Sequence, residues 1–182
     1  MERMTLPLSW ATFRRPVGFA AALFAPPTLA ALALAHSHLF LVNKSPSEPP
    51  GLYIRAKGHA VRPGVLAAFP APPAAFPYAD RRLAVLHRIP ILKAIAAGEG
   101  DMVCTEGGEL VINGRPLASI KTVDPHGVRL PRWNGCRRLQ PGEAFAFSAR
   151  VPTSFDSRYY GPIAVASAQV YRPLVTVNGW GK

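Results

Sequence analysis

The sequence predicts a mainly β domain set behind one apolar N-terminal segment. Three observations point there. Of 182 residues, 20 are proline, about 11%, against a usual level of roughly 5%. Proline is barred from helix interiors and central strands, which disfavours a helical bundle and favours short strands joined by many turns. Residues Val17 to Val42 contain no Asp, Glu, Lys or Arg over 26 positions. Beyond them, short apolar or alternating runs are separated by Pro-Gly, Asn-Gly and Gly-Glu-Gly signals. With 49% hydrophobic and 17% charged residues, intrinsic disorder is excluded. Two cysteines exclude a disulfide-dense scaffold and a four-cysteine zinc site.

The charge-free run is long enough to cross a bilayer as a helix, which takes about 20 residues. Pro26 and Pro27 would kink it, a feature membrane helices tolerate. Arg3, Arg14 and Arg15 precede it, so the positive-inside rule puts residues 1–16 in the cytoplasm, makes 17–42 a transmembrane anchor, and exports 43–182 as one domain. Ala33-Leu34-Ala35 also has the small-x-small pattern of a signal-peptide cleavage site. The apolar run continues past it through Val42, which favours a retained anchor. The expected location is the bacterial inner membrane, single-pass, with the domain in the periplasm.

The exported part carries 18 Lys and Arg against 9 Asp and Glu. An exported domain rarely meets nucleic acid, so anionic headgroups of the cytoplasmic membrane are the expected partner of any functional basic surface. In an oxidising compartment Cys104 and Cys136 can pair and close a loop of about 30 residues, worth about 3 kcal/mol. Two free thiols are the alternative.

Element by element, Gly51–Arg55 reads as a strand after a proline-rich entry, and Val65–Phe69 as a second. Pro70–Pro77 is too proline-rich for regular sheet. Asp80–His87 is expected as a short helix capped by Asp80. Ile89–Ala97, bounded by Gly98, reads as a buried strand. Met102–Cys104 and Glu109–Ile112 are short strands, and Asn113-Gly114 signals a hairpin because both positions favour positive φ. Glu143–Ser148 alternates like a half-buried strand, and Ile163–Tyr171 is expected as one more.

Two groups of residues suggest chemistry. Ser45 and Ser47 lie among Pro46, Pro49 and Pro50. Such a rigid loop can present a hydroxyl in a fixed direction, or it can be merely a linker. Lys93 is the only charged residue between Ile89 and Gly98. Within an apolar strand its amine is either desolvated, with a lowered pKa suited to a general base, or snorkels to water. Together they suggest a Ser-Lys dyad. The five histidines show no pairing pattern, and HExxH, CxxC and clustered carboxylates are lacking. No metal or other cofactor is expected.

Ser45-Pro-Ser47-Glu-Pro49 after one anchor, Lys93 before Gly98-Glu-Gly-Asp101, and Ser154-Phe-Asp-Ser-Arg-Tyr-Tyr-Gly161 follow in that order. In this arrangement the chain resembles the signal peptidase I family (peptidase S26). Asn43, Pro-Gly-Leu-Tyr53 and Phe155–Ile163 make it similar to the conjugative-transfer, TraF-type branch, which processes pilin precursors. The resemblance implies a signal-peptidase/LexA-like β domain and a serine endopeptidase acting on a pilin precursor beside the membrane, with transfer-apparatus proteins as further partners. It implies that Ser47 is the nucleophile, Lys93 the general base, and Ser45 an oxyanion-hole hydroxyl. Ser154 would orient the lysine. Asp156 and Arg158 would brace the site, with Asp156 implicated in activity; read from the residues alone, the two are as readily a structural ion pair. Glu48 departs from the family, where Met is common at this position. Two other readings are a general signal peptidase for secretory preproteins and a non-enzymatic, membrane-anchored assembly factor of a conjugation apparatus.

Overall fold

The computed structural model describes residues 38–177. The expected anchor therefore lies outside the described residues up to position 37, and among the described residues no helix is long and apolar enough to cross a membrane. The described strands are β1 (Phe40–Asn43), β2 (Gly51–Arg55), β3 (Leu66–Phe69), β4 (Ile91–Ala97), β5 (Met102–Cys104), β6 (Glu109–Ile112), β7 (Arg115–Ser119), β8 (Cys136–Arg138), β9 (Glu143–Ala146), β10 (Ile163–Ala164) and β11 (Gln169–Thr176). Among the described residues, helix is confined to α1 (Tyr78–Arg82), α2 (Ser157–Tyr160) and single 3-10 turns. The mainly β expectation holds.

Seven strands form one sheet in the order β1-β2-β11-β3-β4-β9-β10, and four form a second, β7-β6-β5-β8. Every pairing is antiparallel. One core packs Ala67, Phe69, Ile91, Ile95, Ala146 and Tyr160 together. A second core, around Val103, Leu110, Leu139 and Phe145, joins the small sheet to the large one. Cys104 and Cys136 are cross-strand partners on β5 and β8 and form a disulfide. The hairpin joining β6 and β7 turns at Asn113 (φ 51°) and Gly114 (φ 78°).

Four differences from the expected elements have local causes. Phe40–Asn43 is a strand rather than the end of an anchor helix; it pairs with β2, turning Leu41 inward while Phe40 and Val42 stay exposed. Asp80 does not cap α1, whose N-cap is Pro77; Asp80 sits in the first turn and binds the His87 imidazole. The expected strand Ile163–Tyr171 is broken by a 3-10 turn at Val165–Ser167, where Ser167 Oγ donates to Ala164 O at 2.9 Å. A serine bonding its own backbone competes with the sheet ladder. Strand β4 begins at Ile91, leaving Ile89 exposed.

Gly51 opens β2, and its absent side chain sets how closely β11 approaches. A Cβ there would sit 2.1 Å from Val175 O, a backbone atom that cannot swing away. Its φ of 156° is one that L side chains rarely adopt. Gly51→Ala is expected to destabilise the domain by about 2–4 kcal/mol, through overpacking and backbone strain together. Urea denaturation followed by tryptophan fluorescence measures this; a loss below about 0.5 kcal/mol would show that β11 yields freely.

Candidate active site

Ser45 and Ser47 lie in the connection between β1 and β2, and Lys93 is the third residue of β4. In the sheet order, β2 and β4 are three steps apart. At about 4.8 Å per step, a flat sheet would separate them by roughly 14 Å. The Lys93 amine nevertheless hydrogen-bonds Ser47 Oγ, so the sheet must curl to bring the β1–β2 loop over β4.

The loop is held by side chains along its length. Asn43 Nδ2 faces the carbonyls of Ser45 (3.0 Å), Glu48 (3.0 Å) and Pro49 (3.2 Å), while its Oδ1 accepts from Ser45 N at 3.0 Å. The Tyr53 hydroxyl donates to Pro49 O at 2.5 Å. From beyond β9, Ser148 Oγ donates to Ser47 O, and Arg150 Nε donates to Pro46 O at 3.0 Å. Few of these backbone carbonyls could pair within a sheet, so side chains satisfy them. Asn43, Tyr53, Ser148 and Arg150 were not singled out as functional from sequence. Proximity to the serines was the available signal for Asn43; for Ser148 and Arg150, about a hundred residues away, there was none.

Ser45 Oγ lies 2.9 Å from Ser47 Oγ and accepts from Ser47 N at 3.4 Å. Ser47 and Lys93 are each only 4% exposed. On β4, Lys93 shares its face with Ile91 and Ile95, opposite Ala67 of β3. Burial pulls the amine down to about 8, against the opposing pull of the Asp156 and Glu48 carboxylates. A hydroxyl hydrogen-bonded to an amine that is partly neutral near pH 8 can pass its proton to that amine.

Behind this pair lies a buried ion pair. Arg158 Nε and Nη2 donate to the two Asp156 oxygens at 2.8 and 2.9 Å, with both side chains essentially inaccessible. Arg158 also donates to Ser119 O and Ser154 O at 3.1 and 3.0 Å and stacks on the Phe147 ring. This bidentate geometry is the arrangement in which a buried charge pair compensates its own desolvation. Asp156 and Arg158 thus form an ion pair, and the Asp156 charge also acts on Lys93. Ser154 is placed otherwise than expected. Its buried hydroxyl makes no hydrogen bond, so it does not hold the Lys93 amine; its backbone is engaged instead, the carbonyl by Arg158 and the N–H by Val151 O.

Among the described residues no cluster of three or more His, Cys, Asp or Glu side chains could hold a metal ion. A cleft of about 270 Å³ lies between α1, the 121–130 loop and Phe155 with Tyr159, but neither Ser47 nor Lys93 lines it.

Residues 17–170 match the family model of signal peptidase, peptidase S26. Two proteins of Escherichia coli, each described as plasmid transfer protein TraF, are 32% identical over 90 residues, covering 47% of this chain and 51% of each relative. The chain thus spans about half the length of the curated relatives it matches. The crystal structure of a signal peptidase I from Enterococcus faecalis V583 aligns over 63% of this chain and 95% of its own, at 18% identity and a TM-score of 0.34, a likeness too slight to bear on fold or function. The family match extends from the expected anchor through Ser47, Lys93 and the Asp156–Arg158 pair, and the chain belongs to the signal peptidase family, peptidase S26.

Proposed function

We propose that this chain is a membrane-anchored serine endopeptidase that uses a Ser47–Lys93 dyad to process a pilin precursor for conjugative transfer. The observation that carries the reading is the buried contact between the Lys93 amine and Ser47 Oγ, with the amine drawn down to about 8. Neutral Lys93 takes the Ser47 proton as the oxygen attacks the scissile carbonyl. The ammonium then returns a proton to the leaving amine, and water, activated by the same lysine, hydrolyses the Ser47 ester. Ser45 Oγ stands beside Ser47 Oγ and the Ser47 N–H, where its hydroxyl and that N–H can turn to the developing oxyanion. One such donor is typically worth about 3–4 kcal/mol. The Asp156–Arg158 pair holds a fixed charge behind the lysine.

The choice of a pilin rests on the similarity to plasmid transfer protein TraF. A location beside the periplasmic face of the inner membrane rests on the apolar run and the arginines before it. The ester could be resolved by water, giving a linear pilin, or by the pilin's own amino group, giving a cyclic one. The two products differ in mass by one water.

Ser47→Ala and Lys93→Ala are each expected to abolish maturation of a co-expressed pilin precursor, read as its intact mass. Normal maturation with either variant would contradict the dyad. The pH dependence has a definite sign. Below the Lys93 pKa the amine is protonated and cannot act as base, so kcat/KM should rise with pH and level off above about 8. At pH 6 the rate should be about a hundredth of the plateau. A flat profile between pH 6 and 8 would mean that another group is the base.

A further inference from the structure

Glu48 follows Ser47 directly and is only 7% exposed. A glutamate is rarely buried this far without partners, and here the partners belong to the lysine strand. Glu48 Oε1 accepts from Ala94 N at 3.1 Å, and Ala94 follows Lys93 on β4. The Ala94 carbonyl accepts from Phe147 N at 2.9 Å, so this edge of Ala94 faces the end of β9. Strand β9 stops at Ala146, and the Ala94 N–H would find no backbone partner there. The Glu48 carboxylate supplies one, which satisfies a buried donor.

We propose that Glu48 is a positioning residue for the Ser47–Lys93 pair: it fastens the serine loop to β4 at Ala94, next to Lys93, and holds a buried negative charge within electrostatic reach of the lysine. This rests on the dyad reading. The groups facing Glu48 are Lys93 and the Ala94 N–H on β4, Ser148 and Arg150 beyond β9, and Tyr53 on β2. Asp156 and Arg158 face Lys93 from α2 and the turn before it. Burial pushes the Glu48 carboxyl above its usual range, while the Ala94 N–H and the Lys93 charge draw it back. Desolvation alone would drive the Lys93 amine lower still; Glu48, together with Asp156, raises it toward 8. A more basic amine is a stronger acceptor for the Ser47 proton, and the charges of Asp156 and Glu48 favour the ammonium formed in that step. The rigid tether and the charge therefore act on the same proton transfer.

The test follows Lys93 itself rather than turnover. Full-length protein in detergent, labelled with 13C-lysine, is titrated by NMR, and the Lys93 Cε resonance is assigned by its absence in Lys93→Met. The wild-type midpoint is expected near 8. Glu48→Gln keeps the size and the acceptor for Ala94 N–H but removes the charge. It should lower the midpoint by about one pH unit, the low end of the shifts a nearby opposite charge produces. Glu48→Asp keeps a charge and should stay within about a third of that shift. An unchanged midpoint in Glu48→Gln, or an equal fall in both variants, would overturn the inference and leave the dyad standing. The dyad is tested separately by pilin maturation with Ser47→Ala.

Discussion

A lysine amine buried against a serine hydroxyl is the contact on which the arrangement of this domain depends. Water would keep such an amine protonated and useless as a base near neutral pH. Burial makes it available, but only if something else absorbs the charge when the proton arrives. Strand β4 supplies the apolar face, through Ile91, Ile95 and the opposed Ala67. The Asp156 and Glu48 carboxylates pull the amine back up against that burial. The large sheet curls far enough to bring a loop from its β1–β2 end onto a strand three positions away.

The loop cannot hold itself there. Its prolines limit the conformations it samples when unfolded, and its carbonyls are then tied down one by one. Asn43 serves as the inner staple, and Tyr53, Ser148 and Arg150 reach in from neighbouring elements. A buried hydrogen bond is worth only about 1 kcal/mol net, but an orphaned buried partner costs more. The network therefore stabilises one loop geometry mainly by penalising the others. The Asp156–Arg158 pair works similarly: removing either partner would strand a buried charge, typically at a cost of about 3–5 kcal/mol. It fixes the segment that borders Lys93.

Sequence disclosed the parts of this architecture that are local. Turn chemistry located the Asn113-Gly114 hairpin, and an apolar run bounded by glycine located β4 and isolated Lys93 within it. Prolines marked the serine loop. Strands β7 and β8 carry no apolar alternation, since most of their side chains are exposed, and pattern reading had nothing to find. Strand β1 was hidden because Phe40–Val42 close the charge-free run that reads as an anchor. The reach of Ser148 and Arg150 to the loop spans 101 and 104 positions of chain, and only the curled sheet creates it. Glu48 was legible as a departure from the family; its engagement with Ala94 was not, because that depends on where β9 ends. The resemblance implies that Ser154 orients the lysine, but its hydroxyl makes no hydrogen bond.

The central claim is that Ser47 becomes the covalent nucleophile because Lys93 takes its proton. Rapid acid quench of the enzyme during cleavage of its precursor, followed by peptide mass spectrometry, tests this directly. The account predicts a substrate fragment esterified to the peptide containing Ser47, formed by the wild type and absent with Lys93→Ala. Cleavage that proceeds with no adduct on Ser47, or an adduct that forms at the wild-type rate without Lys93, would contradict it.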